Sequence, residues 1–510
     1  MTFTDTPTDL VALVRSGPVL VTGAGVSGEG AIKLLRDLGC PEIHLVDDSA
    51  ERGRPLADAH GVEWCGSDVA RGLLSDAAAV VTSPGWRPDT PLLVDAADAG
   101  VPVVGDVAVA HAGDRAGAWG APRTWLVVTG TNGKTTTTAM LAAMLGDRGA
   151  AVGNIGVALH DALTADDRVD VLAAELSSFQ LHWAPDLRPD AGALLNLAED
   201  HIDWHGSYDA YGADKAIALT GGVAVYGLDD EDVVKQVRGL TEAGRLAPAA
   251  VGFTIGEPEE GQIGVRDGRI VDRAFGDRTS DEPHEATALG GVDVATIEGI
   301  SPPGPAGVLD ALAATALARS IGVRAADIAA ALAGFTVRAH RGQVVHSAGG
   351  VDWIDDSKAT NPHAADAALR GHESVVWVAG GQLKGADVTG LIADHAHRMR
   401  AAVVLGVDGP AIAETLAAAS PGLPVTVIGE TDPATAMAQA CAAAAGAAEP
   451  GDVVLLAPAA ASLDMFTGMA QRGDYFADGA RAATAATAAT AAGATGRSAD
   501  VSGAVEGGPR

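Results

Sequence analysis

Residues 125–140 read Trp-Leu-Val-Val-Thr-Gly-Thr-Asn-Gly-Lys-Thr-Thr-Thr-Thr-Ala-Met, and this stretch decides the fold of the middle of the chain. Its apolar start predicts a buried strand, Gly130 to Gly133 predict a tight loop, and Lys134 with Thr135 predict the start of a helix. Glycines let backbone N–H groups approach an anion, and a helix N-terminus adds partial positive charge. Lys134 can reach the outer phosphates of a nucleotide, and the Thr135 hydroxyl can face Mg²⁺. The stretch therefore predicts a phosphate-binding loop.

The spacing of this loop departs from the common form, in which a first glycine would fall at Val128. The shorter Gly-Thr-Asn-Gly-Lys-Thr stands at 130–135 instead. A purely structural turn of this composition is the alternative, and the coincidence of strand, loop and helix signals argues against it.

The composition is that of a large acidic protein. The chain has 510 residues, 47% of them hydrophobic, and its length favours about three domains. Acidic residues outnumber basic ones 66 to 34, and the net charge of −32 argues against nucleic acid or an anionic membrane as a partner. Anionic substrates would then need local cationic pockets. By itself, the charge is explained more simply by a solvated surface or by salt adaptation.

The cysteines and the N-terminus indicate where the protein works. Cys40, Cys65 and Cys441 are too few and too scattered for a disulfide framework or a zinc site. Residues 1–10 lack the basic and apolar regions of a signal peptide, and no apolar stretch reaches membrane-spanning length. We therefore expect a soluble protein in a reducing cytoplasm.

Lysine is rare in this chain, because most of the 34 basic residues are arginine. Four of the lysines fall inside the motifs described in this section, which suggests a need there for a compact amine that can titrate or bind phosphate. The lysines are Lys33, Lys134, Lys215, Lys235, Lys358 and Lys384.

The first part of the chain predicts a βαβ unit. A strand at 18–22 leads into a Gly-x-Gly-x-x-Gly turn at 23–28, and a second strand ends near Asp47, 19 positions beyond Gly28. Alone, this fingerprint predicts a dinucleotide dehydrogenase, but any diphosphate nucleotide could bind the same helix N-terminus. The run 83–85, Ser-Pro-Gly, follows another apolar strand and predicts either a further ligand loop or a plain turn.

The central part carries candidate metal ligands. Glu175 follows a predicted strand at 171–174, where a carboxylate can hold Mg²⁺ or a water molecule. The alternative is a carboxylate at a helix N-terminus that interacts favourably with the helix dipole. His201, Asp203 and His205 alternate in the next motif and resemble a transition-metal cluster, which is the weaker hypothesis beside magnesium chemistry. Lys215 lies on a helix predicted to begin near 208, and a solvated lysine is the alternative.

The last part alternates strands and helices, which predicts a parallel sheet covered on both faces. Strands are predicted at 351–354, 375–379, 402–405, 425–428 and 453–456. Polar runs follow three of them at 355–361, 380–385 and 457–466, where ligands bind in such sheets. After Phe476 the chain becomes Ala/Thr repeats and glycine, which predicts a disordered tail.

The order of these motifs resembles the Mur ligases. It runs from the phosphate loop through Glu175-Leu-Ser-Ser-Phe, Glu199-Asp-His-Ile-Asp, Lys215, His340-Arg341 and Asp356-Ser-Lys-Ala-Thr-Asn361 to Ser462-Leu-Asp-Met-Phe466. The run at 356–361, together with Gly380-Gly-Gln-Leu-Lys384, resembles the members of the family that add D-glutamate. The resemblance covers about residues 15 to 477.

The resemblance implies an α/β protein of three domains: a Rossmann-like UDP-binding domain at 1–112, a P-loop ATPase domain at 113–337 and a Rossmann-like ligase domain at 338–477, followed by the tail at 478–510. It also implies ATP-dependent addition of D-glutamate to UDP-N-acetylmuramoyl-L-alanine through an acyl phosphate, in cytoplasmic synthesis of peptidoglycan precursors for cell wall biogenesis, cell shape and cell division. The expected cofactors are ATP and Mg²⁺. The expected partners are these small molecules, with no nucleic acid, no membrane and a monomeric protein.

The resemblance further assigns site residues. The catalytic group is Lys134, Lys215, His201 and Lys358. The ATP-binding group is Gly130, Thr131, Asn132, Gly133, Lys134, Thr135, Thr136, Asp310, Arg341 and Asp356. The group that binds the UDP substrate is Gly25, Val26, Ser27, Asp47, Asp48, Ser83, Gly85 and Asn154. The D-glutamate group is Thr360, Lys384, Ser462, Leu463 and Met469. The metal ligands are Thr135, Glu175, His201 and Lys215, the last as the carbamate that the family forms.

Two departures from the family pattern bear on ligand contacts. The His-Asn-x-x-Asn run of the family reads Ala306-Gly-Val-Leu-Asp310 here, which leaves the adenine contact open. Met469 stands where an aromatic residue often lines the amino-acid pocket.

Three other hypotheses remain at the level of sequence. A nicotinamide dehydrogenase would explain the turn at 23–28 but not Lys134. A folylpolyglutamate synthase shares the ATP core but needs neither the UDP-type first domain nor the run at 356–361. A regulatory nucleotide-binding module would leave Lys358 and Lys384 unexplained.

Overall fold

The computed structural model describes residues 9–275, 291–337 and 339–497, with 486–497 as backbone only. Three mostly parallel sheets carry helices between their strands, which confirms the predicted α/β class. The described residues form two compact units: one has those up to Ile300 with Leu309–Phe335, and the other has Ser301–Val308 with those from Thr336 onward. The boundaries at 112, 337 and 477 stay predictions.

The first sheet is parallel throughout, in the order β3-β2-β1-β4-β5. The strand order reverses beside β1, and ligands bind at the carboxyl ends of strands at such a point. The strands are β1 (Val19–Thr22), β2 (Ile43–Val46), β3 (Glu63–Cys65), β4 (Ala79–Thr82) and β5 (Val103–Gly105). The helices are α1 (Leu10–Arg15), α2 (Val26–Asp37), α3 (Ala50–His60), α4 (Ser67–Leu73), α5 (Pro91–Asp98) and α6 (Asp106–Arg115).

The second sheet has nine strands in the order β14-β13-β12-β11-β10-β9-β6-β8-β7, parallel from β7 to β12 and antiparallel from β12 to β14. The strands are β6 (Thr124–Thr129), β7 (Gly149–Gly153), β8 (Val171–Glu175), β9 (Ala191–Leu194), β10 (Val223–Gly227), β11 (Ala249–Phe253), β12 (Gln262–Arg266), β13 (Arg269–Asp272) and β14 (Val292–Thr296). The helices are α7 (Lys134–Leu145), α8 (Leu159–Thr164), α9 (Ser178–His182), α10 (Ile202–His205), α11 (Tyr208–Ala216), α12 (Glu231–Glu242), α13 (Pro305–Ser320) and α14 (Ala325–Gly334).

The first two sheets share one apolar core within the first compact unit. Val19 and Val21 of β1 belong to the same buried cluster as Trp125 and Val127 of β6. Residues 125–128 are completely buried, as expected of a central parallel strand with helices on both faces. The phosphate-loop strand and the strand of the glycine-rich turn are therefore fixed in one packed body.

The third sheet has the order β15-β16-β20-β17-β18-β19, and only its edge strand β15 is antiparallel to its neighbour. That edge strand was not predicted. The strands are β15 (Gln343–Ala348), β16 (Val351–Asp355), β17 (Val375–Gly380), β18 (Met399–Leu405), β19 (Val425–Val427) and β20 (Val453–Leu456). The helices are α15 (Pro362–Arg370), α16 (Thr389–His395), α17 (Gly409–Ala419), α18 (Pro433–Ala447) and α19 (Met469–Arg497).

The prediction of a disordered tail at 478–510 is wrong for its first part. Helix α19 continues to Arg497, Ala480 and Ala483 are buried in the apolar core of the unit, and the Thr484 hydroxyl lies 2.8 Å from His346 Nε2. The repeat misled because alanines can pack closely against the alanine-rich α18 without large apolar side chains. Residues 498–510 lie outside the described residues.

Candidate active site

The glycine-rich turn after β1 depends on close contacts. A Cβ on Gly28 would lie 1.8 Å from the carbonyl oxygen of Gly23, so α2 can approach the turn only without a side chain there. Asp47, which follows β2, accepts a hydrogen bond from a backbone N–H of the turn at 2.8 Å. The Ser83 hydroxyl donates to the carbonyl oxygen of Thr22 at 2.7 Å. The turn, Asp47 and the Ser83 loop therefore meet at the carboxyl edge of the first sheet.

The phosphate loop has the predicted strand–loop–helix form, between β6 and α7. Lys134 Nζ donates to the carbonyl oxygens of Gly130 at 2.9 Å and Thr131 at 2.7 Å. Gly133 takes a φ of +81°, and a Cβ there would lie 2.2 Å from Asp310 Oδ1. Asp310, which the resemblance assigns to the ATP-binding group, thus lies directly against the loop.

One cavity in the first unit brings two predicted groups together, in a volume of about 660 Å³. Its lining includes seven of the residues predicted to bind the UDP substrate, namely Gly25, Val26, Ser27, Asp47, Ser83, Gly85 and Asn154. It also includes three of the predicted catalytic residues, Lys134, His201 and Lys215. Asp48 does not line this cavity, because its carboxylate accepts a hydrogen bond from the Ser67 N–H at 2.8 Å.

Glu175 offers an oxygen ligand at the end of β8. Its side chain is buried, and Oε1 accepts a hydrogen bond from Asn154 Nδ2 at 3.0 Å. Oε2 is buried too and has no hydrogen-bond partner within the part of the chain that the structure describes. A buried carboxylate oxygen without a donor is costly, and a hard cation such as Mg²⁺ would satisfy it. The residues present therefore fit the predicted magnesium ion.

Lys215 is the buried amine of the site. Its side chain is 2% exposed, and Nζ donates to the carbonyl oxygen of Gly130 at 2.8 Å and lies 4.8 Å from the centroid of the Tyr211 ring. Burial lowers the pKa of Lys215 well below its usual value, and the charge of Lys134 lowers it further, whereas Asp200 opposes the shift. This environment favours the neutral, nucleophilic amine.

Strained backbone is concentrated at the predicted site loops. Among the described residues, five that are not glycine have positive φ, and four of these lie in the motifs that predict ligand binding. The fifth, Asp267, lies in the turn between the antiparallel strands β12 and β13. The four are His201, His340, Lys384 and Ala459.

The pKa of His201 is lowered, chiefly because the ring is partly buried, although Asp200 works against this shift. The lowered pKa favours a neutral imidazole, which is the form that binds a metal ion.

The second unit holds its predicted residues on loops at the carboxyl ends of its strands. His340 Nδ1 lies 2.6 Å from Asp355 Oδ2 at the end of β16. Burial raises the pKa of the next residue, Asp356, to about 7, and the charge of Asp355 adds to this, whereas Arg341 opposes it. Lys358 stands two positions after Asp356, and its N–H donates to the carbonyl oxygen of His340 at 3.1 Å.

Two further loops carry the predicted D-glutamate residues. The Gln382 N–H donates to the carbonyl oxygen of Ala461 at 2.8 Å, which places the loop of Lys384 beside the loop of Ser462. Ser462 is buried, whereas Leu463 is 66% exposed. The Met469 carbonyl accepts from the Ser357 hydroxyl at 2.8 Å, and the Thr360 N–H donates to the Lys358 carbonyl at 2.8 Å.

Comparison with known proteins places this arrangement in a family. Two family models match, the Mur ligase middle domain at residues 128–244 and the Mur ligase glutamate ligase domain at residues 340–460. A UDP-N-acetylmuramoylalanine–D-glutamate ligase of Corynebacterium efficiens is 55% identical over 465 residues, 91% of this chain and 94% of that protein. The chain belongs to the Mur ligase family. A ligase of the same description from Mycobacterium tuberculosis is 47% identical and covers 93% of this chain and 98% of that protein.

Solved Mur ligases share the fold. MurF from Acinetobacter baumannii matches with a TM-score of 0.56 at 14% identity, covering 92% of this chain and 98% of that chain. MurF from Thermotoga maritima in complex with ADP matches with a TM-score of 0.51 at 17% identity, covering 94% of this chain and 97% of that chain. Among the described residues, no helix is both long and apolar enough to cross a bilayer.

Sequence reasoning missed one residue that organises the ligase loops of this Mur ligase. Arg472 of α19 donates to the hydroxyl and the carbonyl of Ser357 at 2.9 and 2.8 Å, and to the carbonyls of Gly380 and Ala460 at 3.2 and 3.1 Å. Each acceptor belongs to a different loop of the second unit. No motif marked Arg472 in the sequence, and the helix that carries it was assigned partly to the tail.

Other cavity residues were not assigned a role from the sequence, although Phe179 belongs to the motif that begins at Glu175. Arg52, Trp86, Phe179, Gln180 and Tyr211 also line the cavity. Burial also raises the pKa of Asp106, the first residue of α6, to about 6. Trp86 and Phe179 lie near predicted site residues in the sequence, but only the packing of the first two sheets brings these side chains together.

Proposed function

We propose that this protein joins D-glutamate to UDP-N-acetylmuramoyl-L-alanine in an amide bond, driven by ATP. The observation that carries this proposal is the 55% identity, over 91% of the chain, to a UDP-N-acetylmuramoylalanine–D-glutamate ligase. The cavity supports it as well, because it joins the phosphate-loop lysine to a glycine-rich turn suited to a second nucleotide diphosphate.

The chemistry requires activation, because a carboxylate is a poor electrophile. The γ-phosphoryl group of ATP passes to the alanyl carboxylate, which gives an acyl phosphate and ADP. The D-glutamate amine then attacks the acyl carbon, the C–N bond forms, the C–O bond to phosphate breaks, and the amine loses a proton. Charge develops on several phosphate oxygens, and local cations must neutralise it in a protein of net charge −32.

The ATP phosphates would bind the backbone N–H groups of residues 130–136, with Lys134 turning from the loop carbonyls to the outer phosphates. Asp310 supports this assignment because it lies against Gly133 and accepts a hydrogen bond from Thr137 at 3.0 Å. In the second unit, Arg341 and Asp356 would contribute to ATP binding.

Thr135, Glu175, His201 and Lys215 would hold Mg²⁺, with Lys215 as its carbamate. Bound magnesium would neutralise charge on the phosphate oxygens. The carbamate would form when the neutral Lys215 amine attacks carbon dioxide, making an N–C bond and releasing a proton. The buried amine with its lowered pKa supports this step, and the partnerless oxygen of Glu175 supports a cation beside it.

The substrate groups divide between the two units. In the first unit, Gly25, Val26, Ser27, Asp47, Ser83, Gly85 and Asn154 would bind the UDP substrate. In the second unit, Lys384, Thr360 and Ser462 would replace the hydration of the two D-glutamate carboxylates, with Leu463 and Met469 as the apolar wall and Lys358 near the transferred phosphate. We propose that the protein works as a cytoplasmic monomer in peptidoglycan precursor synthesis, on which cell shape and division depend.

The test measures ADP release with each component omitted in turn. Sustained ADP release over many turnovers should require ATP, Mg²⁺, UDP-N-acetylmuramoyl-L-alanine and D-glutamate together, whereas acyl phosphate formation without D-glutamate gives at most about one ADP per protein molecule. L-glutamate and D-alanine are the matched amino-acid controls. Efficient use of either one, or ADP release that ignores the UDP substrate, would contradict the proposal.

A further inference from the structure

A partly buried carboxylate beside the candidate active site holds two histidines. Asp214 Oδ2 lies 3.0 Å from His182 Nδ1 and 2.8 Å from His205 Nδ1, and His205 Nε2 lies 3.0 Å from the Ser178 hydroxyl. An ionised carboxylate only accepts hydrogen bonds, so both Nδ1 atoms must carry protons. In a neutral ring, His205 Nε2 then accepts from Ser178, which lines the cavity. We refer to these four residues as the Asp214 cluster.

The Asp214 cluster joins three helices that carry or follow the candidate metal ligands. His182 ends α9, which begins three residues after Glu175, and His205 ends α10, which begins directly after His201. Asp214 precedes Lys215 on α11. One carboxylate oxygen is therefore bonded to the segments that place all three ligands, yet it uses none of the ligands' own atoms.

The surroundings of the Asp214 cluster strengthen these bonds. The His205 side chain is fully buried and stacks on Phe179, with ring centroids 5.5 Å apart and planes 3° from parallel. Trp204 packs edge-on against His182 at 5.0 Å. Charge-assisted hydrogen bonds in a low-dielectric, aromatic environment are strong and fix geometry.

The same three side chains could hold a metal ion of their own, since their ligand atoms lie within 4.8 Å of one another. The distances of 2.8 and 3.0 Å are those of hydrogen bonds, however, and each of these atoms already has a partner. Mutual hydrogen bonding therefore accounts for the arrangement without an ion.

We infer that Asp214, His182 and His205 are positioning residues that set the spacing of Glu175, His201 and Lys215 for the divalent cation. The inference rests on the proposed function, because it concerns the cation of that site. Positioning partners of metal ligands typically contribute about 10- to 100-fold to metal affinity. Loss of the carboxylate should therefore weaken cation binding and lower kcat, while the KM for the UDP substrate changes little.

The first test is Asp214→Asn, which keeps the shape but removes the charge, so any hydrogen bond from the histidines to the amide oxygen loses its charge assistance. Titration with Mn²⁺, followed by electron paramagnetic resonance, should show a Kd raised at least about tenfold. Asp209→Asn is the matched control, because Asp209 lies on the same helix, exposed and paired only with Lys235 in the bonds described. It should bind Mn²⁺ as the unchanged protein does. Equal affinity in the two variants would overturn the inference.

A second pair of variants separates positioning from simple packing. The Asn side chain can place an N–H near the Nδ1 position of histidine, whereas Leu fills the space without a donor. His182→Asn should keep Mn²⁺ affinity and His182→Leu should lose it, whether or not Asp214→Asn folds. Equal affinities in this pair would overturn the inference. So would one equivalent of zinc in the purified protein that disappears in His182→Leu, because the cluster would then be a metal site itself.

These outcomes can be told apart from failure of the proposed function. If the unchanged protein binds Mn²⁺ and the variants behave as expected, but D-glutamate does not stimulate ADP release, the substrate assignment fails and the positioning role stands. If the unchanged protein shows no Mn²⁺ binding at all, the positioning role fails even where ADP release depends on D-glutamate.

Discussion

The two compact units hold their candidate sites by different means. In the first unit several residues each hold the phosphate loop at one point: Lys134 bonds to carbonyls three and four positions earlier, and Lys215 bonds to Gly130 from 85 positions away. In the second unit the ligand loops are joined by Arg472, which reaches Ser357 and Gly380 from 115 and 92 positions away. A change in the first unit should therefore remove one chemical group, whereas a change at Arg472 should move several loops together.

The largest effect is expected at Lys134, which tests most directly whether a change in the first unit removes only one chemical group. Lys134→Ala should lower ATP turnover by at least about a hundredfold, because a charge aimed at the phosphates is lost. Calorimetric binding of the UDP substrate should remain, because the glycine-rich turn and Asp47 do not depend on this lysine. Lys235→Ala, at an exposed surface lysine, is the control and should leave both unchanged. Equal loss of ATP turnover and UDP-substrate binding would show that the two sites are not separable.

Lys215 provides a second test of whether a change in the first unit removes one chemical group, because its expected role depends on a carbamate modification as well as on its position. Lys215→Ala should lower kcat by about a hundredfold, and a short added carboxylate such as acetate or formate should restore part of it by replacing the carbamate oxygens. Mass spectrometry of the intact native protein under carbon dioxide, together with the rescue kinetics, measures this. No rescue, combined with an unmodified amine, would count against the carbamate.

Arg472 tests the other half of the comparison. Arg472→Ala removes a buried cation bonded to three loops, and we expect it to lower the free energy of unfolding by about 3 kcal/mol. The KM for D-glutamate should rise on the order of tenfold, while UDP-substrate binding in the first unit stays unchanged. Arg481→Ala on the same helix is the control, because Arg481 is exposed and pairs with Asp478. An unchanged KM for D-glutamate in Arg472→Ala would show that the loops keep their geometry without it.

The smallest effect is expected in the part of α19 beyond Asp478, where substitutions should change only the free energy of unfolding. Ala480 is fully buried, whereas Ala482 is exposed. Ala480→Asp should lower the free energy of unfolding by about 3 kcal/mol, because it buries a carboxylate without a partner, and Ala482→Asp should be nearly neutral. Chemical denaturation of the two variants decides whether this part of the helix is packed. Equal stability of the two variants would indicate that this part of the chain is not packed, as the prediction of a disordered tail had it.

Much of the architecture followed from local signals in the sequence. Apolar runs separated by helical stretches predicted a βαβ unit in the first part of the chain and a parallel sheet in the last part, and the structure has both, with residues 125–128 buried as a central strand should be. The antiparallel strands β14 and β15 were missed, because a short edge strand is only half buried and carries little apolar pattern. The tail was misjudged because its partner surface, α18, cannot be seen from the repeat itself.

The sequence by itself determined the parts whose geometry lies in consecutive residues. The positive φ at Gly133 and the close backbone contact at Gly28 both require glycine at these positions. Lys134 is the first residue of α7 and directly follows the glycine-containing loop. Local constraints of this kind fix the spacing of the residues along the chain, so they can be recognised in the sequence.

Only the tertiary structure decided which distant groups meet. Asp310 against Gly133, Arg472 among three loops and Asp214 between two histidines each depend on strands and helices packing in one particular order. A hydrogen bond between remote positions imposes no spacing on the chain between them, so no pattern in the sequence announces it. Burial then sets the strength of such a hydrogen bond. Burial also lowers the pKa of Lys215, because desolvation is a property of the packed surroundings and not of the residue.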